Sequence, residues 1–374
     1  MLTSEDLHNL KQVSPVRLCF IADARSTHTQ RWVRHFSTAH EVHLITYEPS
    51  VEPIPGVIQH VVPSRFRNLY LAFWPRHVEI RRLVTTIDPD LVHAHFITKY
   101  GFHLPVQRGW PTIISAWGDD ILILPSRSWL LFTFTRRILE WVDLVYAVSR
   151  DIARHIQLGF GIPGERIRWM PFGVDTNQFA PDPVHEKGGG GAIIVFSNRL
   201  YLPTYDHETL LKGFALARAR EPTLRLVLKG EGPDEDRLRR LAESLGLSDA
   251  VRFHERTPLD NVPEDLRAAD IFVSTALSDG TPVSMLEAMA TGLPCICTAV
   301  GGVPEWIRSD ENGVLIPPKA PEALAEAILA LARDVPRRKL FGTEARKTVM
   351  ERGDWFALMA RVERDYQEMI EKYA

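Results

Sequence analysis

The sequence predicts an α/β protein of two domains whose strands run parallel. Three observations carry that reading. The chain has 374 residues, more than one hydrophobic core normally serves. Short apolar, β-branched runs without polar alternation recur along it, as strands buried on both faces do. Residues 271–298 spell out a complete strand–loop–helix–strand unit. There 271–275 is the first strand, Thr281 offers an N-cap hydroxyl and Pro282 takes the first helical position. Gly292 and Pro294 stop the helix, and 295–298 is the next strand.

Composition removes several function classes. A formal net charge of -3 gives no reason to expect nucleic acid as a partner. Cys19, Cys295 and Cys297 all fall in apolar runs, which points to reduced thiols and a cytoplasmic setting. No set of residues has metal-ligand spacing, so no metal is expected. The first fifteen residues are polar and charged, unlike a secretory signal. No apolar run approaches the ~18–20 residues that span a bilayer, so the protein is expected to be soluble or, at most, peripheral on the inner face of a membrane.

Taken in order, 16–22 and 42–47 read as strands with a helix over about 29–37. The loop 23–28 lacks G-x-G-x-x-G, which disfavours a dinucleotide-binding oxidoreductase. Arg65, Arg67, Arg76, His77, Arg81 and Arg82 are interleaved with Phe66, Tyr70, Phe73 and Trp74, and 128–142 is strongly apolar but carries Arg136 and Arg137. These segments read either as core-facing helices with solvated charges or as surfaces for an anionic membrane or a lipid-linked acceptor. Residues 90–96 form a strand that places His93 and His95 on one face. Strand 112–117 leads into Gly118, Asp119 and Asp120. Strand 144–148, a helix to about 158 and strand 167–171 follow. Four glycines at 188–191 mark a flexible linker. The expected domains are therefore 1–182 and 192–354, with 183–191 as hinge and 355–374 as a terminal helix.

The second half opens with strand 192–197 and then Asn198, Arg199 and Leu200. Strand 224–229 ends at Lys229 before a glycine turn; 251–254 is a strand, 260–269 a helix, 313–318 a loop and 321–333 a helix. Asp279 sits just before the 271–298 helix and Glu287 lies eight residues on, inside it. Free N–H groups around Gly280, Thr281, Val283 and Ser284 can receive a diphosphate. The two carboxylates can accept hydrogen bonds from sugar and ribose hydroxyls. That combination suits a nucleotide sugar; the plainer alternative makes Asp279 a turn residue and Glu287 a solvated helix position.

The segment also resembles a known signature. LEAMATGLP at 286–294, preceded by D-G-T-P at 279–282, is similar to the E-x7-E region of retaining glycosyltransferases of family four, which have the GT-B fold of two Rossmann-like domains whose parallel sheets face across a cleft. RWMPFGVDTNQFAP at 168–181 resembles that family's hinge-proximal motif, and DLVHAHF at 90–96 its D-x-x-H-x-H strand. KGEGP at 229–233 and GGVPE at 301–305 resemble two of its glycine turns. Three positions depart: Asp279 is one methylene shorter than the usual Glu, Trp117 replaces a commoner His, and Thr204 stands where a second phosphate-binding lysine is usual.

The resemblance implies a transferase taking a UDP- or GDP-sugar donor and a saccharide or lipid-linked saccharide acceptor, with no cofactor and no metal. It implies that His95, Arg199 and Asp279 carry catalysis, and that Arg199, Lys229, Gly280, Thr281, Pro282, Val283 and Glu287 bind the donor, with Glu287 on the ribose. Ser26, Thr27, His28 and Asp120 would lie at the acceptor, Asp120 either touching it or bracing its loop. The terminal helix would pack back on the first domain. The rival expectations are a nucleotide-sugar 2-epimerase of the same fold and a non-catalytic nucleotide-sugar-binding subunit.

Overall fold

A computed structural model describes residues 14–64, 69–106, 109–182, 191–255 and 261–374. Arg65, Phe66, Arg67, Asp260, the polar first residues and nearly all of the glycine run therefore lie outside the described residues. The chain divides into two compact units, one of residues up to Pro171 together with Phe356–Ala374, the other Phe172–Trp355. The division falls earlier than the glycine run, at the start of the Gly173-Val174-Asp175 segment. There, within the second unit, Val174 N–H donates to the Gly353 carbonyl (2.8 Å) and Trp355 N–H to the Val174 carbonyl (2.9 Å).

The first unit contains β1 (Arg17–Ile21), α1 (Thr27–Phe36), β2 (Glu41–Thr46), β3 (Val57–Val61), α2 (Leu69–Ile87), β4 (Leu91–His95), β5 (Thr112–Ala116), α3 (Asp119–Leu122), α4 (Trp129–Trp141), β6 (Leu144–Ala147), α5 (Arg150–Phe160) and β7 (Ile167–Trp169). Its strands form one parallel sheet in the order β3-β2-β1-β4-β5-β6-β7. The second unit contains β8 (Ile193–Ser197), α6 (His207–Arg218), β9 (Leu224–Lys229), α7 (Glu235–Ser244), β10 (Val251–His254), α8 (Val262–Ala268), β11 (Ile271–Ser274), α9 (Val283–Ala290), β12 (Cys295–Thr298), β13 (Gly313–Ile316), α10 (Pro321–Arg333) and α11 (Val335–Arg352). Its parallel sheet runs β10-β9-β8-β11-β12-β13. Helix α12 (Trp355–Tyr373) ends the chain. In each sheet the central strands are buried throughout, which is why they read as uninterrupted apolar runs.

Two local readings change. Residues 313–318 are not a loop throughout, because Gly313–Ile316 is the edge strand β13. A Cβ on Gly313 would stand 2.8 Å from the Cys295 carbonyl, so the glycine that looks like a turn residue is there to let the strands approach. Helix α9 begins at Val283, with Pro282 at the cap position in extended conformation and no side chain capping it. Thr281 is therefore not the N-cap, and Pro282 stands one place before the first helical residue.

The aromatic core of the first unit is closed by α12. Tyr366 Oη accepts from Trp32 Nε1 (3.1 Å) and lies 2.6 Å from His93 Nδ1. The other ring nitrogen, Nε2, lies 2.9 Å from Ser115 Oγ, so both ring nitrogens of His93 are hydrogen-bonded. Asp365 accepts from Tyr146 Oη (2.9 Å) and pairs with Arg168, and Glu363 meets His40 Nε2 at 3.0 Å. In the second unit, α11 presses on the end of α9 through Gly342, where a Cβ would come 2.0 Å from the Gly292 carbonyl. Arg346 on the same helix donates to the carbonyl of Ala290 at the C-terminus of α9 and to those of Phe179 (2.9 Å) and Thr176 (3.2 Å).

Gly342→Ala should therefore destabilise the protein by about 1–3 kcal/mol through a backbone clash. Gly159→Ala, at an exposed position of α5 with only the His155 ring near (3.7 Å), should stabilise it by ~0.5–1 kcal/mol. Urea unfolding of both variants checks the contrast. Similar shifts of one sign would refute the packing role of Gly342.

Candidate active site

In a parallel sheet, ligands collect beyond the carboxyl ends of the two adjacent strands where the order reverses, because the flanking helices leave to opposite faces there. The reversal falls between β1 and β4 in the first unit and between β8 and β11 in the second. Most candidate residues lie at or just beyond the ends of these four strands, while Asp120 follows β5, Lys229 ends β9 and Glu287 lies inside α9.

In the first unit the chain leaves β1 and enters α1 at Ser26, whose hydroxyl accepts from Thr29 N–H (3.5 Å) as the N-cap. Thr27 and His28 follow in the first turn, half-buried. His95 ends β4, 1 % exposed. Its Nδ1 lies 3.1 Å from Thr29 Oγ1, and its buried Nε2 has no hydrogen-bond partner among the described residues. Burial, then repulsion from His28, pushes His95 down to about 3, so it is a neutral imidazole at physiological pH. Trp117 lies between the two histidines, its ring centroid 5.1 Å from that of His95 and 5.7 Å from that of His28. Phe96, directly after His95, sits at φ +69°, a strained conformation for a bulky residue.

Asp120 braces rather than reaches outward. Fully buried, its Oδ2 accepts from Ile97 N–H (2.9 Å) and its Oδ1 from Trp117 and Gly118 N–H (3.0 and 2.8 Å). Of the two expectations for Asp120, touching the acceptor or bracing its loop, these three backbone contacts are those of a brace. Burial pushes its carboxyl up to about 6 against the pull of those hydrogen bonds.

In the second unit Arg199 follows β8 and Asp279 follows β11, and the two side chains form an ion pair. Arg199 Nη1 also donates to Ser284 Oγ (3.0 Å), and the guanidinium carbon stands 4.1 Å over the Tyr205 ring. Each partner is backed by a glycine turn. A Cβ on Gly230 would meet the Arg199 carbonyl at 2.3 Å, and one on Gly301 (φ +49°) the Asp279 carbonyl at 1.8 Å. Gly302 N–H donates to that same Asp279 carbonyl (3.3 Å). Leu277 N–H donates to the Thr204 carbonyl (2.8 Å), tying the two loops together by backbone where the expected lysine side chain is missing.

Glu287 is buried on α9, a helix otherwise lined by small and apolar residues plus Ser284. A carboxylate so placed is not a solvated helix position. Gly280, Thr281 and Pro282 are buried and lead into Val283; the helix begins with the N–H groups of Val283, Ser284 and Met285, as Pro282 has none. Lys229 is engaged by Asp265 at 2.6 Å, so binding a donor phosphate would require it to share or leave that pair. Sequence reasoning missed His207. It is buried, its ring 5.2 Å from that of Tyr201, and burial, then the charge of Arg199, pushes it down to about 4. Both its ring nitrogens, Tyr201 Oη, Asn198 Oδ1 and Arg199 Nε are buried without hydrogen-bond partners among the described residues. Thr29 was missed as well, because its role depends on a strand 66 residues away.

Two outcomes follow. Asp120→Asn sets an amide NH2 against backbone N–H donors and should lower unfolding free energy by about 1–3 kcal/mol in urea titrations; an unchanged midpoint would refute the brace. His93, His95, His103 and His207 are all held below the ordinary value of 6.5. Their contribution is complete above that value. It is lost as the pH falls from 6.5 toward their folded-state values, because the unfolded chain then takes up protons that the folded protein excludes. Asp120, raised to about 6, offsets one of them with opposite sign. Unfolding free energy measured from about pH 7 to about pH 5 should fall, and a flat profile would show these rings protonate freely.

Known proteins resemble this chain over most of its length. The family model described as glycosyl transferases group 1 matches residues 179–348, and that of Glycosyltransferase Family 4 matches residues 26–178. A D-inositol 3-phosphate glycosyltransferase of Thermomonospora curvata is 30 % identical over 338 residues, covering 78 % of this chain and 76 % of that one. A GDP-mannose-dependent alpha-(1-6)-phosphatidylinositol monomannoside mannosyltransferase of Mycobacterium tuberculosis is 29 % identical, covering 76 % and 77 %. The crystal structure of Anabaena Alr3699/HepE in complex with UDP superposes with a TM-score of 0.81 at 16 % identity, over 94 % of this chain and all of that one. The two Rossmann-like parallel sheets are those of the GT-B fold, and the chain belongs to the group 1, family 4 glycosyltransferases.

Proposed function

We propose that this glycosyltransferase is a retaining, metal-independent enzyme that moves a sugar from a UDP- or GDP-sugar to a hydroxyl of a saccharide or lipid-linked saccharide in polysaccharide, lipopolysaccharide or glycolipid synthesis. The observation that carries the reading is Arg199, fixed by Asp279, Ser284 and Tyr205 beyond the carboxyl end of β8. A guanidinium held in advance beside a helix N-terminus stabilises the charge that grows on a departing diphosphate. Glu287 accepts from ribose hydroxyls, and Asp279 from hydroxyls of the donor sugar. Neutral His95 offers Nε2 to a sugar hydroxyl as a hydrogen-bond partner rather than as a cation. Ser26, Thr27 and His28 lie on the acceptor side.

In the retaining step the bond from the anomeric carbon to the phosphate oxygen breaks and the bond to the acceptor oxygen forms on the same face. The acceptor proton passes to the leaving phosphate, so no enzyme nucleophile is needed. The relatives differ in nucleotide: the mycobacterial enzyme is named for GDP-mannose and the Anabaena structure holds UDP. A reading as a nucleotide-sugar-binding subunit without transfer draws on Thr204 and on the engagement of Lys229 by Asp265, which leave Arg199 as the main phosphate cation.

A thermal-shift series with UDP, GDP and ADP tests donor class, since a ligand at a hundred times its dissociation constant adds ~2.7 kcal/mol. Arg199→Gln should weaken nucleoside diphosphate binding by roughly 10- to 100-fold, as loss of a charge-assisted contact does, and leave nucleoside binding nearly unchanged. Glu287→Gln should weaken both alike. Equal losses for Arg199→Gln would refute its phosphate role, and donor binding with no transfer to any hydroxyl acceptor would favour the subunit reading.

A further inference from the structure

Helix α4 is apolar on both sides. Its inner face buries Thr135, Ile138 and Leu139. Its outer face carries Leu130, Phe134, Arg137 and Trp141 at helical spacing, with Trp129 at its start, and all five are exposed. Trp129 is 79 % exposed and Phe134 52 %. The outer side of α2 repeats the pattern with Trp74 (68 %) and Val78 (64 %) four residues apart. The two surfaces are joined by rings, Phe73 to Phe102 and Phe102 to Phe134, each pair 6.4 Å between centroids. Large aromatic side chains presented together to solvent mark an interaction surface.

The charge around them says what the surface meets. Arg81 and Arg82 on α2, and Arg127, Arg136 and Arg137 at α4, stand against Glu79 and Glu140, whereas Arg76 turns inward over the Tyr47 ring and donates to the Val62 carbonyl. Arg136 and Arg137 share the single carboxylate of Glu140, at 2.9 and 3.6 Å. The excess is three positive charges in a chain whose formal net charge is -3. A second copy of the same face would bring these like charges together, whereas an anionic surface complements them. Tryptophan at both ends of a helix ~18 Å apart suits the headgroup level of a bilayer, where an indole can be half wet. No described helix is long and apolar enough to cross a membrane.

We propose that α4 and α2 form a docking surface on which the first unit lies against an anionic lipid bilayer, the aromatic rings entering the headgroup–acyl boundary and the arginines holding lipid phosphates. The surface stands on its own observations, independent of donor and acceptor. Attachment of this kind draws on apolar burial and on charge together, so removing either weakens it.

The test is flotation of the full chain with vesicles of phosphatidylcholine alone or phosphatidylcholine with phosphatidylglycerol. The protein should float with the anionic vesicles, stay behind with the neutral ones, and detach as salt is raised. Trp129→Ser/Phe134→Ser and Arg136→Gln/Arg137→Gln should each lower partitioning by roughly tenfold. Both pairs alter exposed side chains, so the unfolding midpoint and the nucleotide thermal shift should match those of the unaltered protein. No flotation, equal flotation on both vesicle types, or flotation unchanged in both double variants would overturn the proposal. So would a dimer in light scattering that Trp129→Ser/Phe134→Ser converts to monomer, since a second copy would then be the occupant.

Discussion

The ion pair of Arg199 and Asp279 ties together the loops after β8 and β11, the two strands at which the second sheet reverses. Both partners are largely buried, at 11 % and 14 % side-chain exposure, where a lone charge would be strongly disfavoured. Much of the surrounding architecture serves to hold them. Two glycine turns press against their backbones, Tyr205 lies beneath the guanidinium, and Ser284 fixes its other arm from the first turn of α9. A phosphate arriving here meets a cation that is already oriented. On the proposed reading, Asp279 would compete with that phosphate for the same guanidinium.

The first unit solves a different problem, that of keeping polar side chains in a low-dielectric interior. His93 is satisfied at both nitrogens by Tyr366 and Ser115, and Asp120 by three backbone N–H groups. His95 is held at one nitrogen only, by Thr29, with the other unpartnered among the described residues. That asymmetry is why His95, and not His93 or Asp120, is the group the proposed function gives to the sugar. Tyr366, Asp365 and Glu363 all come from α12, so the last helix is part of this unit's polar core as well as its packing.

Legibility followed locality. Strands buried on both faces advertise themselves as apolar runs, and β4, β5, β11 and β12 were readable for that reason. The edge strand β13 was not, because Gly313 makes it look like a turn. Helix α11 was missed because its charged sequence carries little apolar periodicity; a glycine at position 342, which looks unhelical, is required by the carbonyl of Gly292. Asp120 was legible as a residue that mattered, but whether it touches ligand or braces its loop depended on which N–H groups surrounded it.

By itself the sequence determined the α/β class, the family and the segments that carry Arg199, Asp279, Glu287 and His95, because these rest on short-range pattern and on motifs a few residues long. Tertiary structure alone decided which of those groups already hold one another. It paired Lys229 with Asp265, set Thr29 against His95, buried His207 beside Tyr201, and turned the aromatic stripe of α4 outward. The reason is physical: hydrogen bonds, ion pairs and burial are made between residues tens to hundreds of positions apart. Local sequence fixes what a side chain can do, and only the fold fixes what it meets.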